Sequence, residues 1–243
     1  MTEHEHPPAV TLLWGERARP TRGPRPSLSV ERIVGEATAI ADAEGIAALT
    51  MPGLARRLGA GTMSLYRYIP GKDELIGLMI DAAVGDAPDI DGVRDGWRTA
   101  VVAWAHGMRQ IFLLHPWMLD VVMTARVMGP REVAWLESGL RAFAGIALPS
   151  IRRFDLSLMV NGYVRGIALE QLHEADVAVT GPMFTPEILR DHGRAEEFPL
   201  LMEVMAAFPF ADPPAPGEED ARFAFGLVRL LDGIEIYVDA ASV

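Results

Sequence analysis

From Ser29 to the C-terminus, every sustained apolar pattern in this chain recurs at three- and four-residue spacing, and none alternates with period two. That spacing gathers apolar side chains on one face of a helix, whereas a half-buried strand needs strict alternation. The pattern therefore predicts an all-α fold. Ile33, Ala37, Ile40 and Ala41 open it, and Gly45 ends that helix. Thr50 is a natural N-cap for a second helix, which tolerates Pro52 in its first turn and buries Leu54, Ala55 and Leu58. Gly59-Ala60-Gly61 is a break. Thr62 caps a short third helix over Met63–Tyr68, Pro70-Gly71 breaks again, and Lys72 begins a fourth helix running to about Ala83. Beyond it the spacing predicts helices over Gly96–Leu114, Met118–Val127, Arg131–Ala144, Ser150–Ala175 and Ala221–Val238. Short helices are expected around 187–192 and 196–207, inside the proline-rich stretch 176–220.

Upstream of Ser29 the prolines Pro7, Pro8, Pro20, Pro24 and Pro26 leave no periodic pattern. Residues 1–26 read as a flexible arm carrying Arg17, Arg19, Arg22 and Arg25. The predicted division is this arm, a head over 27–83 holding a helix-turn-helix, and a larger helical body over 84–243.

Charge sharpens the division. The formal net charge is −11, yet it is unevenly spread. Residues 17–72 carry nine basic side chains against four acidic ones, while residues 73–243 carry thirteen against twenty-six. An acidic body repels phosphate, so such a molecule approaches a nucleic acid by its N-terminal end. The chain has no cysteine, which excludes disulfides, thiolate metal sites and a cysteine nucleophile. No signal-peptide pattern opens it, and no stretch is long and apolar enough for a membrane span, so a cytoplasmic protein is expected.

Helices of about eight and seven residues joined by a three-residue turn have the dimensions of a helix-turn-helix. Ala55 and Gly59 are small at spacing four, which would let the third helix cross closely. Leu65 points inward. Thr62, Met63, Ser64, Tyr66, Arg67 and Tyr68 face outward, a set of hydroxyls, aromatics and one guanidinium suited to base edges and phosphates. Lys72, the only lysine, stands at the start of the fourth helix, where its ammonium and free backbone N–H groups suit a phosphate.

The stretch LTMPGLARRLGAGTMSLYRYIPGKDELIGLM, Leu49 to Met79, resembles the TetR family of transcriptional regulators, above all in its L-Y-R-Y followed by K-D-E-L. The HPW at 115–117, MGP at 128–130 and NGYVRG at 161–166 look like the tetracycline-repressor-like type of C-terminal domain. The resemblance implies recognition-helix positions at Thr62, Met63, Ser64 and Tyr66, and phosphate contacts at Thr50, Tyr68 and Lys72. Pro52 departs from members that read a base with a long polar side chain there, which shifts specificity to the third helix and the arm. The implied function is a repressor released from a pseudo-palindromic operator when the body binds a small molecule.

The last helix is apolar nearly all round. Phe223, Leu227, Leu231, Ile234 and Val238 form one stripe, and Phe225, Val228 and Ile236 another. It needs cover on both sides, and a second subunit is the expected cover, with Gly162 and Gly166 of the 150–175 helix alongside. Candidate pocket residues are Trp104, His106, Met108, Phe112, His115, Trp117, Asn161 and Arg165, which combine aromatic bulk with a few polar groups. No metal-ligand spacing, nucleophile motif or phosphate loop is present, so neither an enzyme nor a metal or other cofactor is expected. The competing reading is a helical small-molecule-binding or interaction protein without specific DNA binding.

Overall fold

The computed structural model describes residues 8–15, 28–93, 96–180, 185–207 and 217–241, with side chains left aside from 174 to 180. Among the described residues all regular structure is helical. The helices are α1 (Pro8–Trp14), α2 (Val30–Glu44), α3 (Met51–Arg57), α4 (Thr62–Tyr66), α5 (Lys72–Val84), α6 (Trp97–Leu114), α7 (Met118–Val121), α8 (Pro130–Ala142), α9 (Ser150–Thr180), α10 (Pro186–Asp191), α11 (Pro199–Ala207) and α12 (Glu218–Ala241).

Helix α2 starts where Ser29 accepts a hydrogen bond from the Arg32 amide and stops at Gly45, whose φ of 78° L-residues rarely adopt. Ile33, Val34, Ala37, Ile40 and Ala41 form its buried face. They share a hydrophobic core with Leu54 and Ala55 of α3, Leu65 of α4 and Leu75, Leu78 and Met79 of α5, and that core is continuous with the interior of the body. The body is built on α6, which packs against α8 and α9, while α12 lies along α9. Trp104, Phe143, Val160, Val164, Phe223 and Leu227 fill that interior. Helix α5 serves both parts, packing on α2 and, through Asp81 and Val84 near its C-terminal end, on α8.

Three elements differ from the sequence-based expectation. The arm is not wholly irregular: Pro8 takes the first-turn position of α1, and Leu13 is buried where α1 packs on α5. Arg17, Arg19, Arg22 and Arg25 lie outside the described residues. The helix expected over Met118–Val127 ends at Val121, and the chain leaves Thr124 to line a cavity. Residue Thr62 is the first helical residue of α4 rather than its cap; Gly61 takes the cap position.

Candidate functional site

Helices α3 and α4 form the outer edge of the head. Thr50 caps α3 by accepting from the Gly53 amide at 3.2 Å. Leu54, Ala55 and Leu58 turn inward, as does Leu65, which is fully buried. Gly59 does not serve the helix crossing. Its φ is +66° and a side chain there would meet nothing, so it is needed for the backbone turn between the helices. With Leu65 as the anchor, the other face of α4 is left to solvent. Met63 is 77% exposed, Tyr66 and Tyr68 remain exposed beside it, and the Arg67 guanidinium lies 3.4 Å from Ser64 Oγ. Thr50 is exposed at the head of α3. The half-buried Lys72 sits 3.5 Å from the Ile46 carbonyl, at the start of α5.

Two further arginines lie on α3. Arg57 is held by Glu36 at 2.7 Å and Glu44 at 3.2 Å, so its charge is spent on α2. Arg56 is exposed and has no side-chain partner among the described residues. Sequence reasoning passed over it, although an arginine in the last turn of the first helix of the motif was signal enough.

A second site lies in the body. A cavity of 430 Å³ opens between α6, α8, α9 and the segment 122–128. Trp104, Met108, Phe112, Asn161 and Arg165 line it, five of the eight residues expected of a pocket. The other three are placed elsewhere. His115 Nδ1 lies 2.8 Å from Asp42 Oδ1, and Trp117 Nε1 donates to the same oxygen at 2.7 Å. They fasten the α6–α7 corner to α2. His106 stands edge-on to Phe223, with ring centroids 4.8 Å apart. Burial, then the charge of Arg109, hold its pKa below the ordinary histidine value, with Asp220 opposing.

The cavity wall also contains a charged pair that the periodicity did not single out. Arg126 and Glu132 form a two-pronged pair, both bonds at 2.6 Å, in the interior. Glu132 also accepts from the Gly129 amide at 3.1 Å, closing the N-terminus of α8. Trp135 donates to the Val84 carbonyl at 2.9 Å and accepts from Trp104 Nε1 at 3.1 Å. Val84 is the last residue of α5. One turn earlier, buried Asp81 accepts from the Arg131 amide at 2.8 Å in the first turn of α8. The cavity wall is thus bonded directly to α5, the helix that follows α4 in the chain. Helix α1 joins the same wall, because Trp14 Nε1 donates to the Met128 carbonyl at 2.9 Å.

Residues 33–79 match the description "Bacterial regulatory proteins, tetR family" and residues 91–238 match "Tetracyclin repressor-like, C-terminal domain". The chain belongs to the TetR family. An HTH-type transcriptional repressor of Streptomyces coeruleorubidus is 35% identical over 235 residues, covering 94% of this chain and 85% of the relative. An HTH-type transcriptional regulator of Saccharopolyspora erythraea is 29% identical, covering 79% of this chain and 81% of that one. Among solved structures, a possible TetR family regulator from Streptomyces coelicolor superposes with a TM-score of 0.70 at 22% identity, covering 86% of this chain and all of that one. The Streptomyces coelicolor TetR family protein ActR, solved with actinorhodin, superposes with a TM-score of 0.68 at 23% identity, covering 88% and 98%. This TetR family member is thus a helix-turn-helix transcriptional regulator, with α3 and α4 as the motif.

Proposed function

We propose that this TetR family regulator is a cytoplasmic, dimeric repressor, not an enzyme, whose operator affinity falls when a small molecule fills the body cavity. The observation that carries the reading is the Trp104–Trp135–Val84 hydrogen-bond chain, which ties the cavity wall to the end of α5. A ligand that displaces the Trp135 indole breaks its bond to the end of α5, and α5 carries the reading helix at its other end. The size of the switch equals the ligand's preference for the DNA-incompetent arrangement.

The second subunit is argued from uncovered apolar surface. Ile151, Leu158 and Leu169 of α9 are more than half exposed, as are Phe225 and Ile236 of α12. Gly162 and Gly166 have open space above them. Two copies pairing through these helices bury both faces and set two reading helices about one DNA turn, roughly 34 Å, apart on a pseudo-palindrome. The division into an arm over 1–26, a head over 27–83 and a body over 84–243 belongs to the same reading.

Thr50, Thr62, Met63, Ser64, Tyr66, Arg67, Tyr68 and Lys72 are the proposed DNA contacts, to which the exposed Arg56 is added. Repeated selection from a random DNA pool tests this. The wild type is expected to enrich a pseudo-palindrome, bound less tightly as salt rises, and the Tyr66→Ala, Lys72→Ala double variant is expected not to. A pool with no enriched sequence at low salt overturns it.

A further inference from the structure

The proposal concerns the chemistry of the molecule that fills the body cavity, and it rests on the reading of that cavity as the effector site. Two arginines line the wall, and each has a buried Nε without an acceptor, but their charge balance differs. Arg126 is neutralised by Glu132 through two 2.6 Å bonds, and among the described residues that carboxylate is the only one lining the cavity. Among the described residues Arg165 makes no hydrogen bond or ion pair, and its Nε is buried without an acceptor. The cavity therefore keeps one net positive charge in a wall that is otherwise mostly apolar: Trp104, Met108, Phe112, Trp135 and Phe154.

A buried guanidinium Nε–H without an acceptor is costly, because it forfeits its bond to water. The guanidinium's planar fork matches the two oxygens of a carboxylate, and a bond to an ionised acceptor is about twice as strong as a neutral one. Asn161, one helical turn before Arg165, adds a carboxamide whose present partner is the weak acceptor Met108 Sδ at 3.2 Å. We propose that the cavity takes a largely apolar, ring-bearing molecule with one ionised acidic group, which pairs with Arg165 while the rings lie among Trp104, Trp135 and Phe154. A neutral molecule of the same shape leaves the guanidinium unmet, and a cation is repelled by it.

The test uses matched probes: anthraquinone-2-carboxylate, naphthalene-2-carboxylate and biphenyl-4-carboxylate, each beside its neutral carboxamide. Binding is titrated calorimetrically to the full-length protein and to Arg165→Gln. In the wild type at least one carboxylate is expected to bind roughly tenfold or more tighter than its amide, in line with a charge-assisted bond. Arg165→Gln is expected to erase that preference and leave amide binding unchanged. Ser157→Trp, which fills the cavity, is expected to abolish binding of both. Equal affinity of acid and amide in the wild type overturns the charge assignment while leaving the cavity reading intact. No binding by any probe, or full binding in Ser157→Trp, overturns both. A preference that survives in Arg165→Gln, or an Arg165→Gln chain that instead loses its dimer, assigns the guanidinium another role and also overturns the proposal.

Discussion

Gly139→Ala probes how tightly the cavity wall is built. A Cβ at Gly139 of α8 would stand 2.8 Å from Trp104 Cε2 and 2.9 Å from Cη2. Trp104 Cζ2 is closer still, and carbon atoms in contact prefer about 3.5–4.0 Å, so the indole must retreat by more than about 1 Å. Trp104 is buried, and the space beside it is the cavity it lines. The retreat stretches its 3.1 Å bond to the Trp135 carbonyl, at a cost of about 1 kcal/mol, and the overpacking adds about 1–3 kcal/mol. The expected loss is about 2–4 kcal/mol, and for a chain of this length each 1 kcal/mol lowers Tm by roughly 2–4 °C. Differential scanning calorimetry should show a Tm lower by at least about 4 °C, and calorimetric titration should show weaker binding of any cavity probe. A variant that melts with the wild type and binds the same probe equally well would refute the argument from close packing.

Further outcomes follow from single contacts. Leu65→Ala empties the fully buried anchor of α4 and should cost about 2–4 kcal/mol in denaturant unfolding, with operator binding lost in step. Trp14→Phe removes the bond from α1 to Met128 while keeping the ring. Hydrogen exchange should then quicken in 8–14 and in 122–128, whereas exchange confined to residue 14 would deny that α1 braces the cavity wall. His106 has a lowered pKa in the fold, so the unfolded chain binds its proton first. Its contribution is present above the ordinary histidine value near 6.5 and is lost as pH falls below it. His106→Phe should flatten the fall in stability between about pH 7 and 5; an unchanged profile would exclude this residue.

The exposed face of α4 was legible because its rule is local. Alternating burial around Leu65 and exposure at Met63, Tyr66 and Tyr68 follows from helical geometry, and the Thr50 cap needs only Gly53, three residues away. The cavity was half legible. Trp104, Met108 and Phe112 lie four apart on one face of α6, and Asn161 and Arg165 four apart on α9. His115 and Trp117 were misplaced because their partner, Asp42, is more than 70 residues away and no spacing announces it. Arg126 and Glu132 were missed because helical periodicity was extended through Val127. The signal lay beyond it, in Gly129-Pro130 followed by Glu132, the pattern of a helix start. In the arm, Pro8 ahead of Leu12, Leu13 and Trp14 announced α1, but the surrounding prolines outweighed it.

The central claim is that the cavity governs the DNA-reading head through Trp135 and α5. It is tested by titrating a selected operator duplex, by fluorescence anisotropy, with and without a saturating cavity ligand, in the wild type and in Trp135→Phe. The wild type is predicted to lose roughly 5- to 150-fold in operator affinity when the ligand binds. Trp135→Phe, which lacks the bond to Val84, is predicted to bind ligand and operator separately yet lose much of that coupling. A saturating ligand that leaves the wild type's operator affinity unchanged would contradict the account.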